Sequence, residues 1–166
     1  MNESLKYSIL FVCLGNICRS PAAQAVMQRL VDERCLTDRF YIDSAGIGAW
    51  HIGDLPDKRM RVHARARGYE LTHRARQVRA ADFDDFDLIV GMDATNVEDL
   101  RYKAATIEQQ DKVVMMGDYI RQFPHYDHVP DPYYEGSEGF ELVLDLLEDA
   151  CDNLLDRIIK QNNRIQ

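Results

Sequence analysis

A chain of 166 residues, 46% of them hydrophobic, is long enough to bury a core and too apolar to stay unfolded. Its net charge of −8 argues against a general nucleic-acid binder, and no apolar run is long enough to span a membrane. Residues 1–8, MNESLKYS, lack the basic and apolar regions of a signal peptide, so a cytoplasmic location without membrane insertion is expected. The four cysteines, Cys13, Cys18, Cys35 and Cys151, are then reduced thiols. They form no C-x2-C pair, so neither a metal nor another cofactor is expected.

In chain order, Lys6 to Val12 reads as a buried strand, and a helix follows from near Pro21. Phe40–Asp43 is a second strand ending in Ser44-Ala45-Gly46. Asp57 to Arg67 is helical and stops at Gly68, a C-terminal glycine. Phe86–Val90 is a third strand, with a helix from about Thr95 to Lys103. Lys112–Met116 is the fourth strand, and Asp118 to Gly139, with three prolines, is mostly loop. Phe140, Val143, Leu144, Leu147, Cys151, Leu154, Leu155 and Ile158 recur at helical spacing, which makes Cys151 a core residue on a final helix. Strands alternating with helices predict an α/β fold. One domain over 1–166 is expected, a four-stranded parallel sheet with helices on both faces in a flavodoxin- or Rossmann-like topology. Lys58 to Arg79 carries eight Lys or Arg against one acid, Glu70. It reads as a solvated basic face or as a rim that attracts anionic substrate.

The stretch CLGNICRSP, residues 13–21, joins the first strand to the first helix. Ligands of open α/β sheets gather at such carboxyl ends, and a helix N-terminus there favours an anion. No Gly-Lys-Ser/Thr follows and only one glycine is present, so neither the ATP-type loop nor the dinucleotide fingerprint fits. The chemistry instead points to Cys13. A thiolate is a strong nucleophile, favoured beside cations and helix N-termini. Arg19 offers a planar fork for two phosphate oxygens. Ser20 suits a donor to the thiolate or a helix cap, Pro21 suits a first helical turn, and Gly15 and Asn16 tolerate unusual backbone angles. A second candidate is Asp131, set between Pro130 and Pro132, where the chain is stiff enough to hold a carboxyl without secondary structure. Read alone, that Asp-Pro equally marks a turn.

CLGNICRSP resembles the signature loop of the low-molecular-weight protein tyrosine phosphatases. The resemblance continues through DSAG at 43–46, Trp50, THRARQV at 72–78, MDATN at 92–96 and DPYY at 131–134. It implies a metal-independent phosphoric monoester hydrolase acting on tyrosine-phosphorylated proteins and releasing inorganic phosphate. Cys13 would be the nucleophile, Arg19 the phosphate binder and Asp131 the general acid and base, with Leu14, Gly15, Asn16, Ile17, Cys18 and Ser20 as the phosphate loop. It further implies that Ser44, His73 and Asn96 hold Asn16, and that Trp50, Tyr133 and, less centrally, Tyr134 wall the substrate cleft. Without the resemblance these read as a turn serine, a loop histidine, a helix-start asparagine and packing aromatics. Cys18 resembles the family's second loop cysteine, which closes a reversible disulfide; a packing thiol is the competing reading. A monomer is expected.

Other activities on this scaffold fit less well. Arsenate reduction needs resolving cysteines downstream, and 79–100 contain none. Arginine phosphatases typically carry threonine where this chain has Ile17. A non-enzymatic phosphotyrosine-binding module would be expected to lose Cys13 or Asp131, and both are present.

Overall fold

The computed structural model describes residues 6–133, 136–163 and 165. Four strands, β1 (Tyr7–Cys13), β2 (Phe40–Gly46), β3 (Leu88–Gly91) and β4 (Val113–Met115), form one parallel sheet in the order β2-β1-β3-β4. Among the described residues six α-helices surround it: α1 (Arg19–Glu33), α2 (Lys58–Ala66), α3 (Asp82–Asp85), α4 (Ala94–Lys103), α5 (Ile107–Asp111) and α6 (Ser137–Gln161). β1 is apolar along nearly its whole length because both its faces are covered. Ile9 and Phe11 point into a cluster with α1 and α6, while Leu10 and Val12 point into a second with Phe83, Phe86, Val97 and Leu100. On α6 every residue of the apolar stripe is buried, Cys151 included, and burial raises that thiol's pKa, leaving it inert.

The chain leaves β1 toward β2 on one side and later returns to β3 on the other. This strand-order switch opens a crevice at the carboxyl ends of β1 and β3. Register puts Cys13 beside Gly46, and Val12 beside Gly91, so the loops after β1, β2 and β3 meet there.

Several boundaries differ from the sequence reading. α1 starts at Arg19, two residues before Pro21, so the arginine itself lies in the first turn. Ser44 sits within β2 rather than in a turn. β3 begins at Leu88 rather than Phe86, whose ring belongs to the cluster beneath α4, and β4 spans only Val113–Met115. The short helices α3 and α5 fall in segments to which the sequence reading assigned no element. In the basic segment, carboxylates match most of the cations. Arg67 pairs with Glu141, Asp145 and Glu148 of α6, Arg76 with Asp43 and Asp82, and Arg65 with Glu70. Arg67 and Arg76 dock the segment onto the rest of the fold, while Lys58, Arg59, Arg65, Arg74 and Arg79 stay exposed as a solvated face. Among the described residues, no helix is long and apolar enough to cross a membrane.

Candidate active site

The loop after β1 is shaped by what its carbonyl groups are bonded to. The carbonyl oxygens of Cys13, Leu14, Ile17 and Cys18 accept from the amides of Ile47, Gly48, Asp57 and Ala22. In a trans peptide the following N–H points the opposite way. The amides of Leu14, Gly15, Cys18 and Arg19 are thereby turned from the surrounding chain toward the loop's own interior. β2 approaches this loop so closely that a Cβ on Gly46 would lie 3.0 Å from the Gly15 carbonyl carbon, and the loop backbone would have to shift by a few tenths of an ångström to admit it.

Asn16 adopts φ 58°, a left-handed conformation that costs a non-glycine residue about 1 kcal/mol or more. Its buried side chain makes four hydrogen bonds that hold it there. Nδ2 donates to Ser20 Oγ at 2.8 Å and to Ser44 Oγ at 3.0 Å. Oδ1 accepts from Arg76 N at 3.0 Å and from His73 Nε2 at 3.1 Å, so His73 carries its proton on Nε2. Burial lowers the His73 pKa below the ordinary imidazole value, with Arg76 adding to the effect against the pull of Asp43. Asn96 does not join this set. Its Oδ1 accepts from Met92 N at 3.2 Å, bracing the turn between β3 and α4, so its expected contact with Asn16 is replaced by a local one.

Cys13 is buried at the end of β1 with Sγ 3.0 Å from Ser20 Oγ and 3.4 Å from Ser20 N. The Ser20 hydroxyl already accepts from Asn16, so its own proton is free to face the sulfur. Arg19, 3% exposed, donates from Nη1 to Asp93 Oδ2 at 2.7 Å and to the Val129 carbonyl at 3.1 Å. Its Nη2 lies 3.6 Å from Asp131 Oδ2. Burial works against the Arg19 cation, but Cys13, Asp93 and Asp131 more than offset it and raise its pKa above the usual arginine value. The N-terminus of α1 has no side-chain cap and no acid in its first turn, so its amides stay available to an anion.

Cys13, Leu14, Gly15, Ile17, Cys18 and Arg19 floor a cleft of about 270 Å³, walled by Trp50, His51, Asp131 and Tyr133. The Trp50 indole lies against Gly48, where a Cβ would come within 1.8 Å of the ring, and is otherwise 70% exposed. Arg59 sits over the Tyr133 ring at 5.4 Å. Asp131 Oδ1 accepts from Tyr133 N at 3.0 Å, which aims the carboxyl along the cleft rim. Cys18 is buried beside Cys13 in the same cleft; both are free thiols, and burial, with Asp57 adding, raises the Cys18 pKa and keeps it protonated. Tyr134 lies outside the described residues.

Three residues here, Arg76, His51 and Gln24, were not singled out from sequence. Asp93, which lies in the MDATN match and was the alternative acid to Asp131, holds Arg19 while its Oδ1 caps α4 through Asn96 N. Arg76 ties the loop to Asp43 and Asp82. His51 faces the cleft, and Gln24 accepts from Ser44 Oγ at 2.6 Å. Nothing in their sequence neighbourhood distinguished the last two.

A family model described as Low molecular weight phosphotyrosine protein phosphatase matches residues 8–164. A relative in Synechocystis, slr0328, is 47% identical over 92% of this chain and 97% of its own length. The low molecular weight protein-tyrosine-phosphatase YfkJ of Bacillus subtilis is 43% identical over 93% of this chain and 97% of its own. A solved protein tyrosine phosphatase from Entamoeba histolytica, with Hepes in its active site, superposes with a TM-score of 0.91 at 41% identity, covering 94% of this chain and 99% of that one.

Proposed function

This chain belongs to the low molecular weight phosphotyrosine protein phosphatase family, and from that premise we propose that it hydrolyses phosphotyrosine and small aryl phosphates through a phosphocysteine on Cys13. The observation that carries this reading is the convergence of Cys13, Arg19 and Asp131 on one cleft, the sulfur on its floor and the carboxyl on its rim. Cys13 Sγ attacks phosphorus in line, the P–O bond to the aryl group breaks, and Asp131 gives its proton to the departing phenolate. The three non-bridging oxygens are met by Arg19 and by the inward amides of the loop, charge stabilisation that is built before the substrate arrives. In the second step Asp131 takes a proton from water as the water oxygen attacks phosphorus. The P–S bond breaks, Sγ leaves with the electron pair as a thiolate stabilised by Ser20, and inorganic phosphate departs.

Trp50 and Tyr133 favour a flat ring entering end-on, which suits a phenyl phosphate and leaves a shorter phosphoserine out of reach of Sγ. Cys18, in the same loop, is the candidate to capture an oxidised Cys13 as a disulfide.

The test is single-turnover cleavage of phenyl phosphates of graded leaving-group pKa. Cys13→Ser is expected to abolish turnover while still binding phosphate. Asp131→Asn is expected to slow phosphotyrosine cleavage about 10²–10⁴-fold. A nitrophenolate leaves without help and should be slowed far less, because tyrosine's hydroxyl pKa is near ~10. Substantial turnover by Cys13→Ser, or the same leaving-group slope in wild type and Asp131→Asn, overturns the assignment.

A further inference from the structure

We propose that Arg59 is a positioning residue for the general acid, tying the Asp131 loop to the phosphate loop. The inference rests on the reading of Asp131 as proton donor. Asp131 stands between two attachments. On its N-terminal side, Val129 N donates to the Met92 carbonyl at 2.9 Å, and the Val129 carbonyl accepts from Arg19 Nη1 at 3.1 Å. On its C-terminal side the chain reaches Tyr133, whose amide aims the carboxyl through Asp131 Oδ1. Arg59 meets that side. Its guanidinium carbon lies 5.4 Å from the centre of the Tyr133 ring, within the range of a cation–ring attraction. The same group lies 4.9 Å from the centre of the Phe140 ring, in the first turn of α6. One cation thus reaches both the acid loop and the start of α6.

Arg59 can serve as a tether because its own base is fixed. Nε donates to Asp57 Oδ1 at 3.2 Å and Nη2 to Asp57 Oδ2 at 3.0 Å, a fork that sets the plane of the guanidinium. Asp57 Oδ1 also accepts from Arg59 N at 2.8 Å and caps α2. Asp57 N in turn donates to the Ile17 carbonyl at 2.7 Å, on the cleft floor. Burial opposes the Asp57 charge, yet Arg59 holds its pKa below the ordinary carboxylate value, so the pair is ionised. Phe140 is backed on α2 by the His63 ring, 5.6 Å away and nearly parallel, and His63 Nδ1 lies 2.7 Å from Glu141 Oε2. The acid loop has no such frame. Residues 129–133 form neither helix nor strand, and Asp131 and Tyr133 are both exposed. A stiff anchor on an exposed loop raises the fraction of time the carboxyl stands over the leaving oxygen. Cys13 and Arg19 keep their own partners whether Arg59 is present or not.

The experiment measures kcat/KM of the full chain for phosphotyrosine and for dinitrophenyl phosphate, with thermal unfolding of each variant alongside. A dinitrophenolate leaves without a proton, so the ratio of the two values isolates the help given by the acid. Arg59→Met keeps a stem of similar length and removes the cation. It should lower the phosphotyrosine-to-dinitrophenyl ratio about two- to fivefold, the scale of an exposed cation–ring contact. Arg59→Lys keeps a cation within reach of both rings and should recover most of the ratio. Added to Asp131→Asn, Arg59→Met should lower the ratio no further. Three results would overturn the inference: an unchanged ratio in Arg59→Met, equal falls for both substrates included; a ratio in Arg59→Lys as low as in Arg59→Met; or a further fall when Arg59→Met is added to Asp131→Asn. A wild-type ratio in Asp131→Asn alone would instead overturn the acid assignment on which the inference rests.

Discussion

Arg19 is a cation with 3% of its side chain exposed, and its nearest charge is Asp93 at 2.7 Å. Asp93 does two jobs with two oxygens. Oδ2 takes the guanidinium, and Oδ1 takes the Asn96 amide at 2.8 Å, capping α4. Asp93→Ala removes both. Losing the cap costs about 0.5–2 kcal/mol. Breaking a buried ion pair costs ~3–5 kcal/mol when nothing replaces it. Here Asp93 is 26% exposed, and the Val129 carbonyl and Asp131 still face Arg19, which brings that part down to about 1–3 kcal/mol. The total expected for Asp93→Ala is therefore roughly 1.5–5 kcal/mol. Asp93→Asn keeps a good cap, since Asn and Asp rank together there, and should lose only the charge part, about 1–3 kcal/mol. Urea unfolding at neutral pH in phosphate-free buffer measures both. Both variants should also lose kcat/KM by about tenfold or more, because the guanidinium is no longer held in its plane before substrate arrives. Asp93→Asn within about 0.5 kcal/mol of wild type would refute the dependence of Arg19 on Asp93. Equal losses for Asp93→Asn and Asp93→Ala would refute the separate capping role.

Two further outcomes follow from neighbouring residues. The His73 pKa is lowered from 6.5 in the fold, so below that pH the unfolded chain binds a proton the native state resists, and stability falls as pH drops from 7.5 toward 5.5. Urea midpoints at the two pH values should show a smaller loss for His73→Gln than for wild type, and equal losses would assign the acid sensitivity to another group. Ile17 lies on the cleft floor, at the position where the related arginine phosphatases typically carry threonine. Ile17→Thr should shift the ratio of phosphoarginine to phosphotyrosine hydrolysis upward, and a constant ratio would move selectivity to Trp50 and Tyr133.

What the sequence made legible was whatever lies close along the chain. Cys13, Asn16, Arg19 and Ser20 share one loop, and the strand before it and the helix after it fix where that loop sits. Asp131 was a candidate because two prolines stiffen it, and the DPYY resemblance set it apart from a mere turn. The α6 stripe declared itself by period, as did the parallel strands by their apolar runs. Partnerships across the chain were not legible. Arg19 meets Asp93 after 74 residues and Asn16 meets Arg76 after 60, and only folding brings these pairs together. Asn96 shows the converse. Its position after β3 brings it near the site, but a local acceptor role toward Met92 N, four residues back, claims its oxygen. The helices α3 and α5, of four and five residues, are too short for any period to appear.

On the proposed reading, Arg19 binds the substrate's phosphate while Asp93 already holds one side of its guanidinium. Asp93 and Asp131 both face Arg19, but unequally. Asp93 sits at hydrogen-bond distance and is held by its capping bond, whereas Asp131 stands off at 3.6 Å, is 44% exposed and accepts from the amide two residues on. An arriving phosphate competes with the looser of the two. Its oxygens outbid Asp131 for Nη2 by charge and by the fork geometry, while Asp93 goes on holding Nη1 and keeps the guanidinium plane fixed. No longer drawn toward Arg19, Asp131 is left on the cleft rim, where the proposed mechanism places the proton donor to the leaving phenolate.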